Sequence, residues 1–366
     1  MKPLSVVLAG GGSAGHVNPL LSLADCLRRR DAASTITVLG TSAGLEARLV
    51  PERGYDLVTL PKAAFPRRPN RAVLQFPASL RNAVTTACQA MVDVDADVIV
   101  GFGGYVASPA YLAARRLKLP IVIHEQNARP GLANRLGARM TPYVATTFAA
   151  TALPRARMVG MPLRREIATL DRQASREAAM VHFGLDPARR TLLVFGGSLG
   201  AQRLNEAFSA VASDFVRAGV QVVHLTGAGK DVVIDAGSDG GGAARYVTLA
   251  YTDRMDLAYA AADLAVCRSG AVTVCELAAV GLPALYVPLP IGNGEQRLNA
   301  AGVVEAGGGH LVSDADVTPS WVRSTVVPLM SDPATLAGMA AAAALVGERD
   351  ADEALADLVE AASSRS

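Results

Sequence analysis

Short apolar runs rich in β-branched residues alternate along this chain with longer stretches whose apolar positions recur every three or four residues. The first run, Val6-Val7-Leu8-Ala9, suits a parallel strand buried on both faces. It breaks into Gly10, Gly11 and Gly12 and passes through Ser13, Ala14, Gly15 and His16 to Asn18-Pro19. Asn followed by Pro reads as a helix N-cap and first-turn proline, which predicts a helix over 19–30 with Leu20, Leu23, Ala24 and Leu27 on one face. Arg28, Arg29 and Arg30 at its end suit the helix dipole. Further strands are predicted at 35–39, 98–102 and 121–123.

The second half repeats the scheme. Thr191-Leu192-Leu193-Val194-Phe195 runs into Gly196-Gly197-Ser198-Leu199-Gly200, with a helical pattern from Ala201. Strands are predicted at 220–225, 246–249, 264–267 and 284–287. Asp253 reads as the cap of one helix and 271–280 as another. The tail over 351–362 is amphipathic through Leu355, Leu358, Val359 and Ala362. Repeated strand–turn–helix units predict an α/β protein of two doubly wound, Rossmann-like domains facing a cleft. The boundary falls near Pro162, giving domains over 1–162 and 163–345, with 346–366 returning to the first.

Composition fits two cores: 366 residues, 51% of them hydrophobic. A net charge of +2 supplies no field for nucleic acid. Cys26, Cys88, Cys267 and Cys275 form no CxxC pair and read as reduced core thiols, which suits the cytoplasm. The run over 4–9 is too short for a signal peptide, and Pro283, Pro288 and Pro290 interrupt the most apolar stretch. Segment 62–81 sets Lys62, Arg67, Arg68, Arg71 and Arg81 among Phe65, Val73, Leu74, Phe76 and Leu80. It reads either as a surface helix with a core face or as a peripheral anchor on an anionic bilayer.

Glycine turns that open helices attract phosphate, because their amides are free and the helix start carries partial positive charge. Gly10-x-Gly12-x-x-Gly15 matches the dinucleotide fingerprint. The acid that an NAD site wants after the second strand is missing: those strands end in Gly40-Thr41 and Thr226-Gly227. Asp93-x-Asp95-x-Asp97 precedes a strand, whereas ligands in open α/β sheets bind beyond the carboxyl ends. At such ends lie Gly101-Phe102-Gly103-Gly104-Tyr105 and His124-Glu125-Gln126-Asn127. Ser198, Arg164 and Gln296 also fall at strand ends. Glu276, in the second turn of a helix following a strand, would reach a ribose diol if a diphosphate sat at that helix start.

Gly11–His16, Gly101–Tyr105, His124–Asn127, Gly196–Ala201, Cys267–Glu276 and Gln296–Ala300, in this order, resemble the motifs of the MurG family of glycosyltransferases. That resemblance implies a glycosyltransferase B fold and metal-independent, inverting transfer of GlcNAc from UDP-GlcNAc to the C4 hydroxyl of MurNAc in lipid I. The product would be lipid II, for peptidoglycan synthesis. It implies no cofactor, no metal site, and a peripheral place on the cytoplasmic face of the cell membrane. By matching motif, Ser198 and Arg164 would meet the donor diphosphate, with Ala271, Val272, Thr273, Val274, Cys275 and Glu276 supplying the helix start. Glu276 would hold the ribose, Thr252 the uracil and Gln296 sugar hydroxyls. Ser13, Ala14, Gly15 and Asn127 would line the donor sugar. Gly12, Gly103, Gly104 and Tyr105 would meet the acceptor pyrophosphate, and His16 would be the general base. Met161, Glu295 and Ala14 depart from the family's pattern. An epimerase of UDP-GlcNAc, a glycolipid glucosyltransferase, a nucleotide-sugar sensor and an NAD oxidoreductase are the competing readings.

Overall fold

The computed structural model describes residues 3–12, 14–61, 71–197, 201–234, 244–291 and 293–364, with backbone alone at 14 and 71–75. The chain divides into two units, Met1–Arg164 with Arg349–Ser366, and Arg165–Glu348.

In the first unit, β1 (Ser5–Ala9), β2 (Thr35–Gly40), β3 (Asp56–Thr59), β4 (Val98–Gly101), β5 (Ile121–Glu125), β6 (Tyr143–Thr146) and β7 (Ala156–Met158) form one parallel sheet. Its order is β3-β2-β1-β4-β5-β6-β7. The crossovers carry α1 (Ala14–Arg30), α2 (Glu46–Glu52), α3 (Arg71–Asp93), α4 (Gly104–Leu117) and α5 (Leu132–Gly137). Strand order reverses between β1 and β4, so the turns after these two strands flank the crevice where such sheets take ligands. Those are the two glycine turns.

The second unit begins with α6 (Arg165–Ala168) and α7 (Arg172–Phe183). Its parallel sheet of β8 (Thr191–Phe195), β9 (Gln221–Leu225), β10 (Tyr246–Leu249), β11 (Leu264–Cys267), β12 (Ala284–Tyr286) and β13 (Gly309–Leu311) has the order β10-β9-β8-β11-β12-β13. The reversal falls between β8 and β11. The helices are α8 (Gln202–Ser209), α9 (Ala212–Arg217), α10 (Met255–Ala261), α11 (Ala271–Ala279), α12 (Glu295–Asn299) and α13 (Ala301–Glu305), then α14 (Pro319–Trp321), a π-helical stretch Val322–Val326, α15 (Val327–Met330) and α16 (Pro333–Leu345).

Alternation along the buried strands builds both cores. Val6, Leu8, Ile36 and Val38 pack with Leu20, Leu23, Ala24 and Leu27 of α1, while Val7, Ala9, Leu39 and Ile99 face the opposite layer. Leu355, Ala356, Val359 and Ala362 of α17 (Ala351–Ser363) complete the first layer. Arg29 meets Asp352 at 2.7 Å, and Arg30 meets Glu353 at 2.7 Å, Asp357 at 2.8 Å and Glu360 at 3.0 Å. The arginines that end α1 therefore also clasp the last helix. The Cys26 thiol beneath them is pushed up to about 12 by burial and then by the charge of Asp352.

Two helix starts differ from the sequence pattern. α1 begins at Ala14, so Gly15 and His16 are helical and Pro19 lies inside the helix. Proline there forfeits one bond, to the Gly15 carbonyl, within the helix's first two turns. α10 begins after Arg254 instead of being capped by Asp253, because the Thr252 hydroxyl accepts the Arg254 amide at 3.1 Å.

Among the described residues no single helix is long and apolar enough to cross a membrane. One pair, Pro319–Met330 and Pro333–Leu345, passes by length and composition only, with an 87° bend between them.

The second sheet holds a buried histidine. His224 Nδ1 lies 2.9 Å from the Tyr246 hydroxyl and Nε2 3.1 Å from Asn205 Oδ1, and Asn205 Nδ2 donates to the Thr226 carbonyl at 3.0 Å. Burial lowers its pKa to about 4. The folded unit thus keeps His224 neutral where the unfolded chain protonates it. Its stability is full above about pH 6.5 and lost progressively as pH falls toward 4, by up to about 3 kcal/mol. Urea midpoints of this unit measured at about pH 7 and about pH 5 should show the fall; equal midpoints would contradict it.

Candidate active site

The first unit gathers its candidates around the β1–β4 reversal. Gly12, with φ +93°, and Gly103 and Gly104, with φ +88° and +78°, turn the chain as only glycine does readily. Ser13 lies outside the described residues. His16 stands in the first turn of α1 and reaches the second glycine turn. A Cβ on Gly103 would be 3.4 Å from His16 Cδ2 and Nε2, and 3.3 Å from Asn134 Nδ2. Glycine at 103 thus leaves room for the His16 ring and the Asn134 amide beside it. Tyr105, in the first turn of α4, is 47% exposed.

The His16 ring is partly accessible yet densely surrounded. Burial lowers its pKa, and the charge of Glu46 pulls the other way; the net effect is a depressed value. The ring is neutral near pH 7, the form that accepts a proton. The Gly12 amide, expected to face a pyrophosphate, donates instead to Glu46 Oε2 at 2.8 Å. Gly12 therefore has no amide to offer an anion, and its part in the turn is its backbone shape.

The polar run at the end of β5 is interior. His124, Glu125 and Gln126 are buried, and only Asn127 is half-exposed. His124 Nε2 lies 2.9 Å from the Gly160 carbonyl, and burial lowers its pKa to about 4. Glu125 accepts the Asn127 amide at 3.0 Å and, through its other oxygen, the Gly131 amide and Asn134 Nδ2, each at 3.0 Å. Asn134 is fixed in turn by Tyr111, whose hydroxyl donates to Oδ1 at 2.7 Å. Burial pushes the Glu125 carboxyl up against these donors. This network shapes the loop that presents Asn127. Sequence reasoning passed over Asn134, whose approach to Gly103 crosses a whole βα unit.

Asp97, last of the acidic triplet, accepts the Ser5 amide at 2.8 Å at the amino end of the sheet, opposite the glycine turns. Among the described residues, Cys26, Asp352 and Glu353 bring ligand-type atoms together, but Arg29 and Arg30 already pair with those carboxylates.

In the second unit, the end of β11 leads through Arg268, Ser269 and Gly270 into α11. Gly270 occupies the N-cap and brings no side chain to the helix start, which is how an anion-receptive helix begins. Ala271 and Val274 are buried; Val272, Thr273 and Cys275 are half-buried. Glu276 is 5% exposed and Tyr259 donates its hydroxyl to Oε2 at 2.7 Å. It is therefore a held, interior carboxylate and not a solvent-facing helix residue. Thr252 is buried. Gln296 turns its amide oxygen to the Leu289 amide at 2.9 Å, fixing the loop before α12. Arg268 is neutralised by Asp314 at 2.6 Å, which Arg203 also meets at 3.0 Å. Ser198 lies outside the described residues. Arg164, half-buried, closes the first unit.

Two doubly wound domains, each with a glycine-opened helix at its strand-order reversal, define a glycosyltransferase of the B fold. The models of the glycosyltransferase family 28 N-terminal and C-terminal domains match residues 6–146 and 191–355, and the chain belongs to this family. A Clavibacter sepedonicus protein named UDP-N-acetylglucosamine--N-acetylmuramyl-(pentapeptide) pyrophosphoryl-undecaprenol N-acetylglucosamine transferase is 57% identical, over 96% of this chain and 95% of its own. A Streptomyces avermitilis protein of the same name is 55% identical over 97% and 98%. The crystal structure of Acinetobacter baumannii MurG superposes with a TM-score of 0.80 at 29% identity, covering 98% of this chain and all of that one.

Proposed function

We propose that this chain transfers GlcNAc from UDP-GlcNAc to the C4 hydroxyl of MurNAc in lipid I, with inversion, giving lipid II. The observation that carries the reading is α11: a helix opened by glycine at a strand-order reversal, with a buried, oriented carboxylate in its second turn. The name of the relatives supports the same substrates.

In this reading the second unit binds the donor. The start of α11, from Ala271 to Thr273, receives the diphosphate with Ser198 and Arg164, while Glu276 takes the ribose hydroxyls. Thr252 meets uracil, and Gln296 turns its amide NH2 to the sugar. Ser13, Ala14, Gly15 and Asn127 are assigned to the donor sugar by the motifs they share with the family. Gly103, Gly104 and Tyr105, with the turn at Gly12, receive the acceptor pyrophosphate.

Transfer forms the bond from acceptor O4 to C1 as the bond from C1 to UDP breaks. The hydroxyl proton passes to neutral His16. Charge builds on the departing diphosphate, where the α11 amides and the Arg164 guanidinium stabilise it; one such donor is commonly worth about 3 kcal/mol. The reading needs no divalent ion, so EDTA should leave the rate unchanged. The decisive assay is incubation with labelled UDP-GlcNAc and a lipid I analogue. Expected is a β-1,4-linked disaccharide lipid. Epimerised UDP-GlcNAc without transfer would refute the reading.

Segment 62–81, basic and apolar in sequence, holds the protein peripherally on the cytoplasmic face of the membrane. Residues 62–70 lie outside the described residues; in α3, Phe76 and Leu80 are half-buried and Arg81 is exposed. Flotation with vesicles should rise with anionic lipid content and fall with salt.

A further inference from the structure

The carboxylate of Glu46 has no assigned part so far. It opens α2, yet the residue is 0% exposed. Oε2 accepts the Gly12 amide at 2.8 Å, and Oε1 accepts the Thr41 amide at 2.8 Å and the Thr41 hydroxyl at 2.7 Å. Glycines make room for it on three sides. A Cβ on Gly11 or Gly44 would collide with the carboxylate, and one on Gly40 would stand 2.6 Å from Cγ. The turn after β1, the last residue of β2 and the loop before α2 thus close around a single anion.

Burying a carboxylate is costly unless donors replace its water. Burial here works to raise the Glu46 carboxyl, and the Gly12 and Thr41 donors outweigh it, so the group stays ionised with its pKa below the usual value. Gly12 lies two residues before α1, and His16 stands in the first turn of that helix. A bond that fixes Gly12 fixes where the helix starts and where the ring stands.

We infer that Glu46 is a positioning residue for the transfer reaction: its carboxylate clamps the first glycine turn, sets the His16 ring beside Gly103, and presents that ring with a negative charge. The inference rests on the proposed role of His16 as base. Gly103 from the β4–α4 turn and Asn134 from α5, which lie near the ring, are uncharged; Glu46 from α2 acts on it with its negative charge. Taking that charge away removes the influence that raises the ring's pKa, so the ring should titrate lower.

The test is Glu46→Gln in the full chain, read three ways. Glutamine keeps the size but turns an NH2 toward N–H donors. Expected is a fall in kcat of about tenfold or more, as for a misplaced reacting group, with the affinity for free UDP, which lacks the sugar, within about twofold because the nucleotide groups of the second unit are untouched. The acid limb of the kcat profile should move to lower pH. The His16 ring signal, assigned by its loss in His16→Ala and followed by NMR, should move the same way. Glu46→Asp, which keeps the charge, should bring the acid limb back toward wild type. Gly11→Ala attacks the clamp from the opposite side, since its methyl collides with the carboxylate, and it should lower kcat with UDP affinity unchanged. Gly11→Ala carries the test if Glu46→Gln does not fold.

An unchanged kcat in both variants would overturn the inference. So would a fall in kcat with the ring titration and acid limb unmoved, since a merely structural loss behaves that way. Failure of the base reading shows separately, as a His16→Ala rate close to wild type; the ring titration in Glu46→Gln does not depend on it.

Discussion

Replacing His16 with alanine should lower kcat for GlcNAc transfer by about 100-fold to 10,000-fold, the range for a positioned general base. The ring stands near the second glycine turn of the first unit, where a Cβ on Gly103 would be 3.4 Å from it. Burial outweighs Glu46 and holds its pKa below the ordinary value, so a neutral ring awaits the acceptor proton near pH 7. Steady-state kinetics with a lipid I analogue would measure the loss. The KM for UDP-GlcNAc should hardly move, because the ribose, diphosphate and uracil contacts lie elsewhere. A loss under about tenfold would take His16 out of the proton transfer.

The second large effect is expected at Glu276. Its alanine variant should raise the KM for UDP-GlcNAc by about tenfold to 100-fold, the worth of losing hydrogen bonds to a charged acceptor. The Tyr259 hydroxyl holds one oxygen at 2.7 Å, so the carboxylate is oriented before the nucleotide arrives and little is lost in ordering it. The discriminating measurement is calorimetric binding of UDP against 2′-deoxy-UDP. Wild type should prefer the ribose and Glu276→Ala should not. An alanine variant that still tells the two apart would place the ribose with another group. The variant also removes the acceptor of the Tyr259 hydroxyl, so its stability should fall by about 1–3 kcal/mol, while Glu276→Gln, which still accepts from Tyr259, should lose less.

The architecture was legible because its signals are local. An apolar strand, a glycine turn and a helix with one greasy face each declare themselves within a dozen residues, and their repetition specifies a parallel doubly wound sheet. The start of α1 shows the limit: Asn18-Pro19 has the chemistry of a cap, but the helix had already begun at Ala14. Proline in a helix's early turns costs little enough for packing to override.

The side-chain partners were not legible. Nothing in the first glycine motif says that the Gly12 amide belongs to a carboxylate 34 residues further on. The absence of an acid after β2 argued against NAD, yet an acid reaches the same turn from α2. The signal that was available is the spacing of Gly40 and Gly44 around the start of that helix, two residues with no side chain where a buried group must fit. His124, Glu125 and Gln126 looked like a polar site because they are consecutive and end a strand. His124 and Glu125 are interior because Gly160, Gly131 and Asn134 supply partners, and Gln126 donates to the His124 carbonyl at 3.4 Å.

Period and turn chemistry alone thus determined two βα-repeat domains with phosphate-seeking turns at their strand ends, since backbone conformation responds mainly to near neighbours in the chain. Only the folded chain decided which of those turns had an amide to offer, which carboxylate was held by a phenol and which histidine met the second turn. Hydrogen bonds and charge act over a few ångströms of space, and the crossovers bring together residues that the sequence keeps tens of positions apart.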